Sequence, residues 1–236
     1  MVAVRFFMTF KVANPMSAGD LYAKARFNMV ESQIRTNKVT DDRLLAALSA
    51  VPRQIFVSET FASVASVDKS IRIAAGRYLV EPLVLARLLQ EATVGETDKV
   101  LVVGAGTGYS AAILGRLCAT VTAVESDAAL AATAKENLAA LAVANAAVHE
   151  GPLEQGWAAS GPYDVILLDG MVADLPAGLT AQLADHGRLV TIRSQEGRSG
   201  VGTLYRKLAG AVSGRPLFDA VVPFLPGFAP RPEFAF

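Results

Sequence analysis

The residues of this chain best suited to chemistry gather around one short bend. Lys99-Val100-Leu101-Val102-Val103 is an apolar run behind a single lysine, and it leads directly into Gly104-Ala105-Gly106-Thr107-Gly108-Tyr109. Ser110 to Leu117 follows with an Ala-rich, helical composition. A buried parallel strand, a turn of small residues and a helix N-terminus thus occur in the order that nucleotide-type ligands need. Glycine lets the backbone approach a ligand that a Cβ would block. About twenty residues on, a separation met in dinucleotide sites, Val121-Thr122-Ala123-Val124 reads as a second strand with Glu125 at its end. A carboxylate there can accept both hydroxyls of a ribose.

The spacing alone leaves the ligand class open. Gly104, Gly106 and Tyr109 miss the dinucleotide pattern G-x-G-x-x-G/A because tyrosine is not small, yet the frame Gly106 to Ala111 satisfies it. Three alternate glycines followed by an acid resemble instead the S-adenosyl-L-methionine-dependent methyltransferases, where no pyrophosphate has to be cradled. A plain βαβ turn without a ligand remains the third reading.

The elements that must position these groups follow from periodicity. Ala18 to Arg35 has an amphipathic helical pattern through Tyr22, Ala25, Met29, Val30 and Ile34. Thr40-Asp41-Asp42 caps a second helix through Leu44, Leu45 and Leu48, which Pro52 stops. Asp68 to Ile73 reads as extended, and Pro82 to Gln90 as a helix with proline in its first turn, where the missing donor costs little. After the first two core strands come an Ala-rich helix at Ala128 to Leu141 and a short strand at Ala147 to His149. Tyr163 to Gly170 is a strand, Gly178 to Ala184 a helix and Arg188 to Ile192 a strand; Thr203 to Leu208 and Leu217 to Val222 make a final antiparallel pair. Alternating strands and helices imply an α/β fold: a doubly wound, mostly parallel seven-stranded sheet with helices on both faces and an N-terminal helical addition. The expected organisation is an irregular lead-in over 1–17 and one domain over 18–236. Within that domain, 18–90 forms the substrate side, 91–222 the cofactor-binding sheet, and 223–236 an irregular tail on the surface.

Bulk properties narrow the classes. The 236 residues are 52% apolar, enough for a core on both faces of a sheet, and 22 basic residues balance 22 acidic ones. No global field therefore draws the chain to nucleic acid or to an anionic membrane. A single cysteine, Cys118, in an apolar stretch reads as inert packing and offers no disulfide framework. No apolar run reaches membrane-spanning length. Arg5 to Lys11 is apolar and basic without a convincing cleavage site, so it reads as a lead-in, or as sequence ahead of a start at Met16. A cytoplasmic enzyme, monomeric or weakly dimeric, is the expectation. No spacing of His, Cys, Asp and Glu suggests a metal.

From about Met29 to Val222 the chain resembles the protein-L-isoaspartate (D-aspartate) O-methyltransferases. The resemblance rests on Met29-Val30-Glu31-Ser32-Gln33-Ile34, Val51-Pro52-Arg53-Gln54-Ile55-Phe56-Val57 and Val100 to Leu114. Glu125, Tyr163-Asp164-Val165-Ile166 and Gly187-Arg188-Leu189-Val190 add to it. It implies methyl transfer from S-adenosyl-L-methionine to the α-carboxylate of an isoaspartyl residue in a protein or peptide. It also implies cofactor contacts at Val103, Gly104, Ala105, Gly106, Thr107, Gly108, Tyr109, Glu125, Ser126, Gly151, Pro152, Leu153 and Asp169.

Three departures bear on the acceptor. The family's Gly-x-Thr/Ser-Ile-Ser-x-Pro is here Gly76-Arg77-Tyr78-Leu79-Val80-Glu81-Pro82, so Val80 stands where a hydroxyl is expected beside the transferring methyl. Leaving a carboxylate oxygen there unpaired costs roughly 1–3 kcal/mol. Gly151-Pro152-Leu153 replaces Gly-Asp-Gly, and the Pro152 side chain cannot accept from an adenine amino group; Glu154, Gln155 or a backbone carbonyl is the expected substitute. Asp169 closes the fourth core strand, where an acid repels a carboxylate but can take a proton from a hydroxyl or amine. Against that, Arg77 or Arg193 can anchor an anion bidentately.

Val80, Asp169 and Arg77 are accordingly the candidate catalytic residues. Asp169 read simply as half of an Asp-Gly turn needs no chemistry. Arg53 reads as a structural partner at a helix end, and His149 and His186 as bystanders. The alternatives to isoaspartyl methylation are another acceptor with Asp169 as base, and a non-catalytic cofactor-binding protein.

Overall fold

Two apolar faces organise the molecule. The computed structural model describes residues 17–195 and 199–230, so the expectations for the lead-in and the last six residues lie outside the described residues. Its main sheet has seven strands in the order β5-β4-β3-β6-β7-β8-β9. They are β3 (Lys99–Val103), β4 (Thr120–Glu125), β5 (Ala146–Glu150), β6 (Tyr163–Val172), β7 (Leu183–Ser194), β8 (Gly200–Leu208) and β9 (Ala211–Ala220). β3 through β7 pair in parallel, while β8 and β9 close the sheet as the expected antiparallel pair, with β9 beginning at Ala211 rather than Leu217. A separate hairpin joins β1 (Ile71–Ala74) to β2 (Arg77–Leu79).

Alternation along β3 divides the core. Val100 and Val102 face a large cluster built with helices α2 (Asp42–Ala50), α3 (Pro82–Ala92), α4 (Tyr109–Leu114) and α5 (Ala128–Ala140). Leu101 and Val103 face a smaller cluster containing Leu179 of the short helix α6 (Ala177–Ala181). Caps fall where the sequence puts them: Asp41 Oδ1 accepts from the Arg43 and Leu44 amides, and Pro82 opens α3.

Three expectations need correction. The first helix is not continuous to Arg35. α1 (Ala18–Asn28) gives way at Met29 to a wider turn, Met29–Ile34, then to a tight one at Arg35–Asn37. Nothing in α1 is buried, and the wider winding brings Met29, Val30 and Ile34 together onto the core. α4 stops at Leu114 rather than Leu117, because beyond it the Arg116 and Leu117 amides donate three residues back, to Ile113 O and Leu114 O, in a tighter turn.

The tail, finally, is not a loose surface segment over the residues described. The Met171 amide donates to Pro223 O (3.0 Å), the Leu225 amide to Met171 O (2.9 Å) and the Ala173 amide to Phe228 O (2.7 Å). Leu225 and Phe228 are buried against Val103, Leu168 and Val172. The physical reason is that α6, with five residues, is too short to cover this face of the sheet, so the tail covers it.

Among the described residues no helix is long and apolar enough to cross a membrane.

Candidate functional site

The bend is fixed by two parallel ladders. Val103, the last residue of β3, pairs with Val124 on one side and Leu168 on the other. Gly104 leaves the sheet at its carboxyl edge, where folds of this kind bind ligands, and Glu125 closes β4 beside it. Asp169, expected to close the fourth core strand, lies instead inside β6, which runs on to Val172 and still pairs with β7 there, so Asp169 and Gly170 form no turn. Gly104, Gly106 and Gly108 have φ of 84°, 55° and 97°, a region in which a side chain is strained. The Gly104 and Ala105 amides both donate to Val124 O, at 2.9 and 3.1 Å, tying the bend to β4.

Glu125 is fully buried. Its Oε1 accepts from the Ser126 and Asp127 amides at 2.9 and 3.1 Å, and Oε2 from the Gly106 amide at 2.7 Å. Arg77 Nη2 donates to the same Oε2 at 2.6 Å, forming a buried ion pair. A desolvated carboxylate requires such company. Arg77 is thus turned toward the acid of the bend, and its Nε is buried with no acceptor among the described residues. Arg193, the other cation suggested as an anion anchor, pairs with the exposed Asp174 at 2.8 Å.

Val80 is buried beside the bend's far wall, and its carbonyl accepts from Arg53 Nη2 at 2.5 Å. Arg53 is fully buried, donates from Nε to Ala65 O at 2.8 Å, and stacks 4.5 Å from the centroid of the Tyr109 ring. Tyr109 also meets Phe56 edge-on at 5.3 Å, so its side chain points into the protein, away from the bend's opening. Burial pushes its phenol up in pKa, opposed by the Arg53 cation. Thr107 is likewise committed, its hydroxyl donating to Phe56 O at 2.6 Å.

Asp169 lies one residue beyond the Val103–Leu168 pair, level with the start of the bend. Desolvation raises its carboxyl pKa above the usual aspartate range, with the Ser110 hydroxyl and the charges of Arg77 and Arg53 pulling the other way. Val80, Asp169 and the two arginines therefore share one corner.

On the other side, the Gly151 amide donates to Glu125 O at 3.0 Å, and Leu153 is buried. Trp157, stacked on His149 with ring centroids 4.1 Å apart, lies 3.7 Å from where a Cβ on Gly151 would stand. Glu154, expected as an adenine partner, lies instead against Gly227 of the tail. Cys118 is buried with its thiol pushed up to about 12, chiefly by burial, as inert packing requires. Among the described residues no group of three or more His, Cys, Asp and Glu could hold a metal ion.

The sequence reading missed two occupants of the bend. A Cβ on Gly104 would lie 2.6 Å from Leu225 Cδ2, and one on Gly106 would lie 2.8 Å from Ile73 Cδ1. Leu225 comes from the tail and Ile73 from β1, and neither belongs to a motif. The apolar run Val221 to Leu225 was the available signal for the first. The chemistry of the bend suits an adenosyl group, whose ribose would need the Glu125 Oε2 that Arg77 now holds and whose approach to the glycine backbone would need Leu225 and Ile73 to shift.

A sheet of this order, with a glycine bend after its central strand and an acid closing the neighbouring one, defines the Rossmann-like fold of the methyltransferases. The chain belongs to the protein-L-isoaspartate(D-aspartate) O-methyltransferase family, whose model matches residues 24–223. It is 38% identical over 200 residues to a protein-L-isoaspartate O-methyltransferase of Koribacter versatilis, covering 84% of this chain and 89% of that one. A second relative of that name, from Rhodopseudomonas palustris, is 40% identical over 162 residues, covering 69% and 74%. Among solved structures, a protein-L-isoaspartate O-methyltransferase superposes with a TM-score of 0.76 at 22% identity, covering 87% of this chain and 66% of that one. A Plasmodium falciparum structure in complex with S-adenosyl-L-homocysteine gives 0.72 at 18% identity, covering 86% and 96%.

Proposed function

We propose that this protein transfers a methyl group from S-adenosyl-L-methionine to the α-carboxylate of isoaspartyl residues in proteins or peptides. The observation that carries the reading is the family match across residues 24–223, which spans the glycine bend, Glu125 and Asp169. Bound there, the cofactor supplies an electrophilic methyl on a sulfonium. The bare backbone of Gly104 to Gly108 would lie against it, and Glu125 would accept from its ribose.

An isoaspartyl carboxylate is already anionic at neutral pH, so no residue has to remove a proton. What remains for the chain is to align the acceptor, exclude water and offset the acceptor's charge. Arg53 supplies positive charge at this corner, close enough to act on the Asp169 carboxyl, whereas the charge of Arg77 is shared with Glu125. The test is direct. Incubating the protein with methyl-labelled donor and an isoaspartyl peptide should yield a base-labile ester; no ester on the peptide would refute the reading.

A second reading has a specific observation behind it. Val80 offers no hydroxyl, while Asp169 is an acid whose pKa is raised by desolvation. Both suit an acceptor that arrives protonated, with Asp169 as base. Label in a base-stable product, with none in peptide ester, would favour it.

A further inference from the structure

The acid that a donor's ribose requires is already engaged by a side chain of this protein. Arg77 Nη2 lies 2.6 Å from Glu125 Oε2, and both residues are buried. The space over the bend is also taken. Leu225 stands where a Cβ on Gly104 would go, and on Gly170 too, at 2.7 Å, while Ile73 stands over Gly106. Arg77 Nη2 itself lies 3.4 Å from the Gly104 Cβ position. Three segments far apart in sequence thus converge on one cradle: the β1–β2 hairpin, the glycine bend and the tail.

The engagement is of a kind that can be exchanged. Glu125 keeps three backbone amide donors whether or not Arg77 is present. Among the described residues Arg77 makes a single hydrogen bond, without the two-pronged geometry that makes arginine–carboxylate pairs strong, and its Nε has no acceptor. A buried donor left unpaired is a standing cost, relieved when the guanidinium moves to water. Its hairpin is short, four residues paired with three, and has a register irregularity between Arg72 and Ala74.

We propose that Arg77 is an internal competitor for the adenosyl donor: it holds the Glu125 carboxylate that the ribose needs, with Ile73 and Leu225 covering the bend. The donor enters only as the 71–79 hairpin gives way, and its affinity is set by that exchange. The inference rests on the reading of the bend as a donor site.

The test is calorimetric titration of S-adenosyl-L-homocysteine into the full chain and three variants. Arg77→Ala removes the competitor; Arg77→Gln keeps a polar side chain of similar length, in case the smaller one destabilises the fold. Leu225→Ala opens the cradle without changing charge. Both Arg77 variants should bind at least tenfold more tightly than the unaltered protein, and Leu225→Ala severalfold more tightly. In the unaltered protein, saturating ligand should speed amide hydrogen exchange over 71–79 while slowing it over 104–108. Binding by the unaltered protein that both Arg77 variants merely match or fail to match overturns the inference and leaves the donor site standing. Binding by none of the four proteins overturns both.

Discussion

The guanidinium of Arg53 lies over the ring of Tyr109, 4.5 Å from its centroid, deep inside the protein. The contact joins the Val-Pro-Arg segment to the first residue of α4, and so holds the far wall of the bend in place. Arg53 also donates to Ala65 O and Val80 O. Removing it would leave those two carbonyls without a donor among the described residues. Arg53→Ala should therefore lower unfolding free energy by about 3 kcal/mol, measured by urea denaturation. Arg53→Lys should recover only part of that, because a compact ammonium lacks the two separate donor atoms, Nε and Nη2, with which Arg53 reaches the two carbonyls. A loss below about 1 kcal/mol for the alanine variant would show the contact to be incidental.

Val80 gives a sharper functional test. Its side chain is buried and apolar at the corner shared by Asp169, Arg53 and Arg77. If an isoaspartyl carboxylate docks there, one oxygen lacks a donor. Val80→Ser should raise kcat/KM on an isoaspartyl peptide by about tenfold, the worth of one good hydrogen bond. A flat rate would place the acceptor elsewhere.

The frame was legible because its signals are local. β3, β4 and β6 carry apolar runs that lead into a glycine or an acid, although β6 continues past Asp169 to Val172, and the caps at Asp41 and Pro82 rest on chemistry within a turn or two. Glu125 could be named from the same pattern. What could not be read was which side chain faces which across long separations. Arg77 looked like an anion ligand because arginine at that place is free in sequence terms, yet it meets an acid 48 residues away. Leu225 sits in a Pro-rich tail without periodicity, and its burial depends on α6 being too short to cover the sheet. The break in the first helix has the same origin, since burial of Met29, Val30 and Ile34 against the core overrides local preference.

Glu125 separates binding from folding. Glu125→Ala should weaken S-adenosyl-L-homocysteine binding by about 1–3 kcal/mol through the lost ribose acceptor. It should also destabilise the fold by about 3–5 kcal/mol, because the Arg77 cation stays buried without its partner. Adding Arg77→Ala should restore much of the stability and none of the ribose contact, a non-additivity expected only of residues in contact. Thermal melts with and without ligand read both quantities. Unchanged ligand affinity in Glu125→Ala would mean that no ribose reaches this carboxylate.

Asp169 predicts the pH dependence. Desolvation holds its carboxyl above the ordinary aspartate range, against the pull of the Ser110 hydroxyl and of Arg77 and Arg53. The folded chain therefore keeps this proton to higher pH than the unfolded chain does. Its contribution to stability is fully present below the ordinary aspartate pKa and is lost as pH rises through the folded value. Asp169→Asn cannot ionise and escapes that loss. From about pH 4 to about pH 7 the unfolding free energy of the unaltered protein should fall relative to the variant, as followed by urea titrations along the series. A gap that stays constant, or that moves in favour of the acid, would mean that Asp169 sits there comfortably ionised. Its assignment as a base poised to take a proton would then lose its physical ground.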